Sequence, residues 1–214
     1  MDEDITIINN NTRIEKIKNF FVNNKKSLII TLTALILLIL SYFIYKEINE
    51  RNKIKLADKF NIVSLNFTTG NKIDVESEMI KIIESKDKTY SPLALYFLID
   101  NNIISSKEKI NKLFDNIINN VKLDKEIKNL LIYKKGLYNS DFVNENDLLQ
   151  ILNPIINSES IWKSHALHLL AEYFFSKNEK QKSKQFFEQI LNLENSNPKI
   201  KLSAQQRIQR DFSE

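Results

Sequence analysis

From Ser27 to Tyr45 the chain carries no charged residue, and Leu28–Leu40 is almost wholly aliphatic. At about 1.5 Å per residue, a helix over this stretch is close to 30 Å long, the thickness of a bilayer's hydrocarbon core. A soluble helix of that length normally keeps a polar stripe, and this stretch has no charged one. Tyr42 and Tyr45 stand at one end, where amphipathic rings favour the headgroup boundary; Lys25 and Lys26 close the other. The small residues of a cleavage site do not follow the run: Tyr42, Phe43, Ile44, Tyr45 and Lys46 do. The stretch reads as an uncleaved membrane anchor in contact with lipid through residues 27–45. Residues 1–26 form a tail before it and 46–214 a domain behind it.

The domain reads as all-α. The whole sequence has 2 glycines and 3 prolines, too few for the tight turns that β-rich folds require. There is no cysteine, which excludes disulfides, zinc ribbons, thiol catalysis and lipidation at the anchor. With Gly70 and Gly136 as the only glycines, neither a Walker loop nor a dinucleotide fingerprint can form. Neither histidine has a serine and an acid arranged around it. These exclusions point away from an enzyme, a cofactor and a small-molecule substrate. The net charge of +4 and pI near 9.0 are mild and spread along the chain. They suit a solvated surface rather than a nucleic-acid face.

Apolar periodicity predicts continuation of the anchor helix over 46–66, then a turn at Thr68-Thr69-Gly70-Asn71. Helices follow near 74–85, 91–103, 106–121, 124–138, 146–157, 160–177, 180–193 and 197–212. Ser91-Pro92 and Asn197-Pro198 read as helix starts, and Ser105 with Glu108 as a capping box. Short helices joined by short connections imply antiparallel pairs stacked into a solenoid.

The pair 160–193 carries the sharpest pattern. Leu167, Leu170, Ala171 and Phe174 form one stripe; Ser183, Phe187 and Ile190 form its counterpart on the next helix. This resembles the tetratricopeptide repeat, although Ile190 is larger than expected and Pro198 arrives about three residues late. At 100° per residue, Trp162, Leu169 and Tyr173 make a second apolar stripe, with Ala166 between the two. The remaining stripe carries Ser164, His165, His168, Glu172 and Phe175. In tetratricopeptide arrays this part of the first helix lines the ligand groove, so His165, His168, Glu172 and Phe175 are the candidate partner-binding residues. The spacing of His165, His168 and Glu172 would also let neighbours share a metal ion. Two histidines and one carboxylate on an exposed stripe read instead as polar groove residues, and no metal is expected.

The layout has a family likeness. Ile14-Glu15-Lys16-Ile17-Lys18-Asn19-Phe20-Phe21, then Asn24-Lys25-Lys26 and a single span, resembles the start of the bacterial ancillary SecYEG translocon subunit family. Ile14, Ile17, Phe20 and Phe21 share one helical face, as in a short helix lying on a membrane surface. The resemblance implies an inner-membrane protein with a cytoplasmic tail and a periplasmic tetratricopeptide-like domain. Its implied partners are the SecYEG translocon and periplasmic chaperones or exported proteins. The flanking charges alone leave orientation tied, since Arg13, Lys16, Lys18, Lys25 and Lys26 are matched by Lys46, Arg51, Lys53, Lys55 and Lys59. The same fold would also suit a structural tether in an envelope or cell-division complex.

Overall fold

The protein is described by a computed structural model covering residues 14–70 and 74–212. Residues 1–13 of the tail, Arg13 among them, and Asn71 of the expected turn lie outside the described residues. Among the described residues the chain forms helices and turns and no strand. It divides into two units, Met1–Lys55 and Leu56–Glu214.

The first unit holds helix α1 (14–23) and the greater part of α2 (Lys25–Thr68), which spans the unit boundary without a break. Among the described residues nothing buries the apolar run: no residue of its most hydropathic window is buried. A soluble core helix of this composition would be mostly buried. The long apolar helix is therefore a candidate membrane span. Thr31 and Thr33 satisfy their own hydroxyls by donating to the carbonyls of Ser27 and Ile29, at 2.9 and 2.8 Å, so neither of these two hydroxyls needs water.

The second unit contains the last turns of α2 and eight more helices: α3 (Val75–Glu84), α4 (Tyr90–Asp100), α5 (Lys107–Asn120), α6 (Lys125–Asn139), α7 (Glu145–Ile156), α8 (Lys163–Ser176), α9 (Lys180–Asn192) and α10 (Pro198–Asp211). Their ends fall within about three residues of the bounds predicted from periodicity. Gly70 ends the stretch after α2 with a positive φ of 71°, the conformation that glycine adopts without strain. Helices α4 and α8 both stop on an asparagine in the left-handed region, Asn102 and Asn178. In each, the next N–H reaches five residues back, Ile103 to Leu98 and Glu179 to Phe174, the Schellman arrangement.

Two expected caps are corrected. Ser91 does not start α4; Thr89 precedes the helix, and the Asp87 carboxylate accepts from the N–H groups of Thr89 and Tyr90, both at 2.8 Å. Ser91 is fully buried one residue into the helix, and its hydroxyl donates to the carbonyls of Ile82 and Ile83 at the end of α3. Its polarity ties two helices together instead of capping one. The cap of α5 is Ser106, not Ser105, accepting from Lys109 N–H at 3.2 Å; with Lys109 in the third position the reciprocal Glu108 arm is absent. Asn197 caps α10 as expected, accepting from Lys199 and Ile200 with Pro198 in the first turn.

Burial shows an order that no single helix announces. In each of α3, α5, α7 and α9 three buried side chains fall at i, i+4 and i+7: Val75, Met79 and Ile82; Ile110, Phe114 and Ile117; Leu148, Leu152 and Ile155; and Ser183, Phe187 and Ile190. Ile83 in α3 and Leu113 in α5 are buried beside them. The intervening helices carry the complementary faces: Ser91, Ala94, Leu95 and Leu98 in α4; Ile132, Gly136 and Asn139 in α6; Leu167, Leu170, Ala171 and Phe174 in α8. Successive helices pack on one another, and α6 also touches α8, as α8 touches α10. The core is accordingly split into three clusters, each drawn from consecutive helices, with Ile118, Ile156 and Phe186 packing at the seams. Burying each large side chain contributes about 1.5–3 kcal/mol, so every helix depends mainly on its immediate neighbours.

The seams are tight and specific. A Cβ on Gly136 would lie 2.5 Å from Leu152 Cδ2, so α6 and α7 approach where glycine leaves room. Asn111 and Asn139 exchange a pair of amide hydrogen bonds between α5 and α6, at 2.9 and 2.8 Å. Lys59 on α2 pairs with Glu78 on α3 at 2.9 Å.

Candidate functional site

Helix α8 is the centre of the candidate site, and its stripes face different neighbours. Leu167, Leu170, Ala171 and Phe174 are buried, as are Ser183, Phe187 and Ile190 on α9. The small side chain of Ser183 lets α9 close on α8, and Phe174 stacks on Phe186 with centroids 5.4 Å apart. The second stripe meets the preceding hairpin: Trp162 stacks on Tyr133, and the Tyr133–Trp162 pair is joined edge-on by His165. Tyr173 donates its hydroxyl hydrogen to Val143 O at 3.0 Å.

The third stripe, read from the sequence as an open groove, is largely covered by α10. Arg207 forms a two-pronged pair with Glu172, Nε to Oε1 at 2.8 Å and Nη2 to Oε2 at 2.7 Å. The same guanidinium lies 4.2 Å over the Phe175 ring and also contacts Asp211. Phe212 meets Phe175 and Phe187 edge-on or tilted. His168 Nε2 hydrogen-bonds Ser203 Oγ at 3.1 Å. The reason is geometric: a helix buried on two sides has one flank left for the next helix in the chain, and residues at i, i+4 and i+7 along that flank, 168, 172 and 175, meet it.

His165 is the exception, packed against Trp162 and Tyr133 with its Nδ1 buried. Burial pushes both imidazoles below their usual value; for His168 the attraction of Glu172 works against this and the Arg207 charge adds to it. Glu172 is committed to Arg207 and His168 to Ser203. Among the described residues no three His, Asp or Glu side chains converge on one point.

Three exposed aliphatic side chains of the second unit do not stand out in the sequence. Leu93, Ile127 and Ile161 are 42%, 43% and 65% exposed, at positions separated by a constant step of 34. Leu93 and Ile127 share a recess of about 300 Å³ with Pro92 and Leu123, rimmed by Lys88 and Asp124. Ile161 stands beside the start of α6, where the Glu126 carboxylate accepts from Ile161 N–H and the Ser160 hydroxyl. The signal that would have found them is the step itself, which matches a tetratricopeptide-length period. Motif matching hides it, because motifs record buried positions.

No protein-family model, curated protein or solved structure matches this chain.

Proposed function

We propose that the chain is a single-pass, membrane-anchored protein-interaction module whose domain is a degenerate tetratricopeptide-like array closed at its C-terminal end by α10. One observation carries the array: the i, i+4, i+7 triplet of buried side chains recurring in α3, α5, α7 and α9. Each such hairpin leaves a face that only a neighbour can cover, which is the energetic logic of stacked repeats. The anchor is supported by an apolar helix whose most hydropathic window no described residue buries.

Partners bind, on this reading, at the exposed aliphatic row Leu93, Ile127 and Ile161 with the Trp162–His165 edge beside it, rather than on His168, Glu172 and Phe175, which already have α10. An apolar strip with a polar rim suits extended or helical apolar segments, and the anchor raises their effective concentration at the membrane. The resemblance of residues 13–45 assigns the partners as SecYEG subunits and periplasmic chaperones or exported proteins, with the tail cytoplasmic and the domain periplasmic.

Affinity purification of the full chain from detergent-solubilised membranes tests this. Translocon subunits should be recovered by the native chain and lost on Leu93→Asn/Ile127→Asn/Ile161→Asn, with thermal stability unchanged because all three are surface residues. Recovery of envelope-assembly or division proteins without translocon subunits would replace the partner assignment with the tether. Unchanged recovery by the triple variant would remove the aliphatic row from the function. A C-terminal reporter active only in the cytoplasm would reverse the topology.

A further inference from the structure

The junction of α1 and α2 holds a feature that the anchor role does not require. The two helices are divided at Asn24, whose side-chain amide donates to Phe20 O at 3.0 Å alongside its own backbone N–H. Astride this division Phe21, Val22, Leu28, Ile29 and Leu32 line an open recess of about 390 Å³, almost wholly apolar, and Lys25 is its one charged wall. Positions 18, 22, 25, 29 and 32 follow the four-and-three spacing of one helical face. That face therefore carries Lys18 and Lys25 towards one end and only aliphatic residues towards the other. Residues 14–26 contain four lysines, Lys16, Lys18, Lys25 and Lys26, against the single acid Glu15.

We propose that this recess is a binding site for one anionic phospholipid, its phosphate on Lys25 with Lys18 nearby and an acyl chain along Ile29 and Leu32. The assignment rests on the membrane-anchor reading and goes beyond it. An uncharged apolar recess at the end of a span would take any lipid. One walled by a lysine, with a second lysine a helical turn or two above, matches an amphiphile that is anionic at its head. A zwitterionic lipid offers the same chain but no net charge to the lysines.

The full chain is reconstituted in vesicles of equal phosphatidylglycerol and phosphatidylcholine, washed at alkaline pH, and extracted into detergent; retained lipid is then counted by native mass spectrometry. Phosphatidylglycerol should be retained in preference. Lys25→Gln should lower that preference about fivefold, the effect of one lysine at a membrane surface. Lys46→Gln, at the other end of the apolar run, should leave it unchanged. Phe21→Ala should reduce retention of both lipids without altering their ratio. Equal retention of the two lipids by the native chain, or equal effects of Lys25→Gln and Lys46→Gln, would overturn the site while leaving the anchor intact. Release of the native chain by the alkaline wash would overturn the anchor and the lipid site together.

Discussion

Replacing Arg207 tests whether α10 is a structural cover for α8. Its side chain is 13% exposed, while the Glu172 carboxylate it grips is 38% exposed, so this pair is neither fully buried nor free in water. A solvent-touched ion pair contributes up to about 1 kcal/mol. Stacking of the guanidinium on Phe175, 4.2 Å away, adds about 1 kcal/mol. Lost packing of the arginine stem against Phe187 adds a smaller amount. Arg207→Ala should therefore destabilise the second unit by about 2 kcal/mol. At roughly 2–4 °C per kcal/mol for a domain of this size, the melting temperature should fall by about 4–8 °C. Arg207→Lys keeps the charge but not the two-pronged, planar geometry, and should recover less than half of the loss. Thermal melts followed by circular dichroism on the full chain in detergent measure both, and hydrogen exchange should show protection lost first in α10. A melting shift under about 2 °C, with exchange in α10 unchanged, would refute the reasoning and reopen the stripe at His168, Glu172 and Phe175 as a groove.

Gly136→Ala should destabilise despite the higher helix propensity of alanine, because the new Cβ meets fully buried Leu152 at 2.5 Å; overpacking of about 1–3 kcal/mol outweighs a gain near 1 kcal/mol. Adding Leu152→Ala should then cost less in the Gly136→Ala background than alone, as a double-mutant cycle would show. Ser91→Ala should lower stability by about 1 kcal/mol in urea titration by removing the link from α4 to the Ile82 and Ile83 carbonyls. Both imidazoles titrate below their usual value in the folded chain, so between that value and their folded ones the unfolded chain binds more protons. Stability should be at its plateau above about pH 6.5 and should fall as pH drops below it. Replacing both histidines by glutamine should flatten the dependence of melting temperature on pH between about 5 and 7; an unchanged slope would assign it to other groups.

Much of this protein is legible locally. An uncharged run of the right length, helix bounds set by periodicity, and seven of the buried positions in α8 and α9 all follow from spacing along a single helix. Physical chemistry of that kind acts over one or two turns, so a linear reading captures it. The misplaced caps at Ser91 and Ser105 show the edge of that reach: several short polar residues stand near each helix start, and which of them caps depends on where the preceding helix ends. The tertiary structure alone decides what lies against each face. Whether His168, Glu172 and Phe175 meet a ligand or another part of the chain depends on α10, more than thirty residues further on. The exposure of Leu93, Ile127 and Ile161 is likewise invisible in one helix, because an aliphatic residue looks the same in sequence whether a neighbour covers it or not. The sequence determined the long apolar helix and the helices behind it, since these are satisfied by their own hydrogen bonds and apolar periodicity; the stacking of neighbours determined which surface remained open.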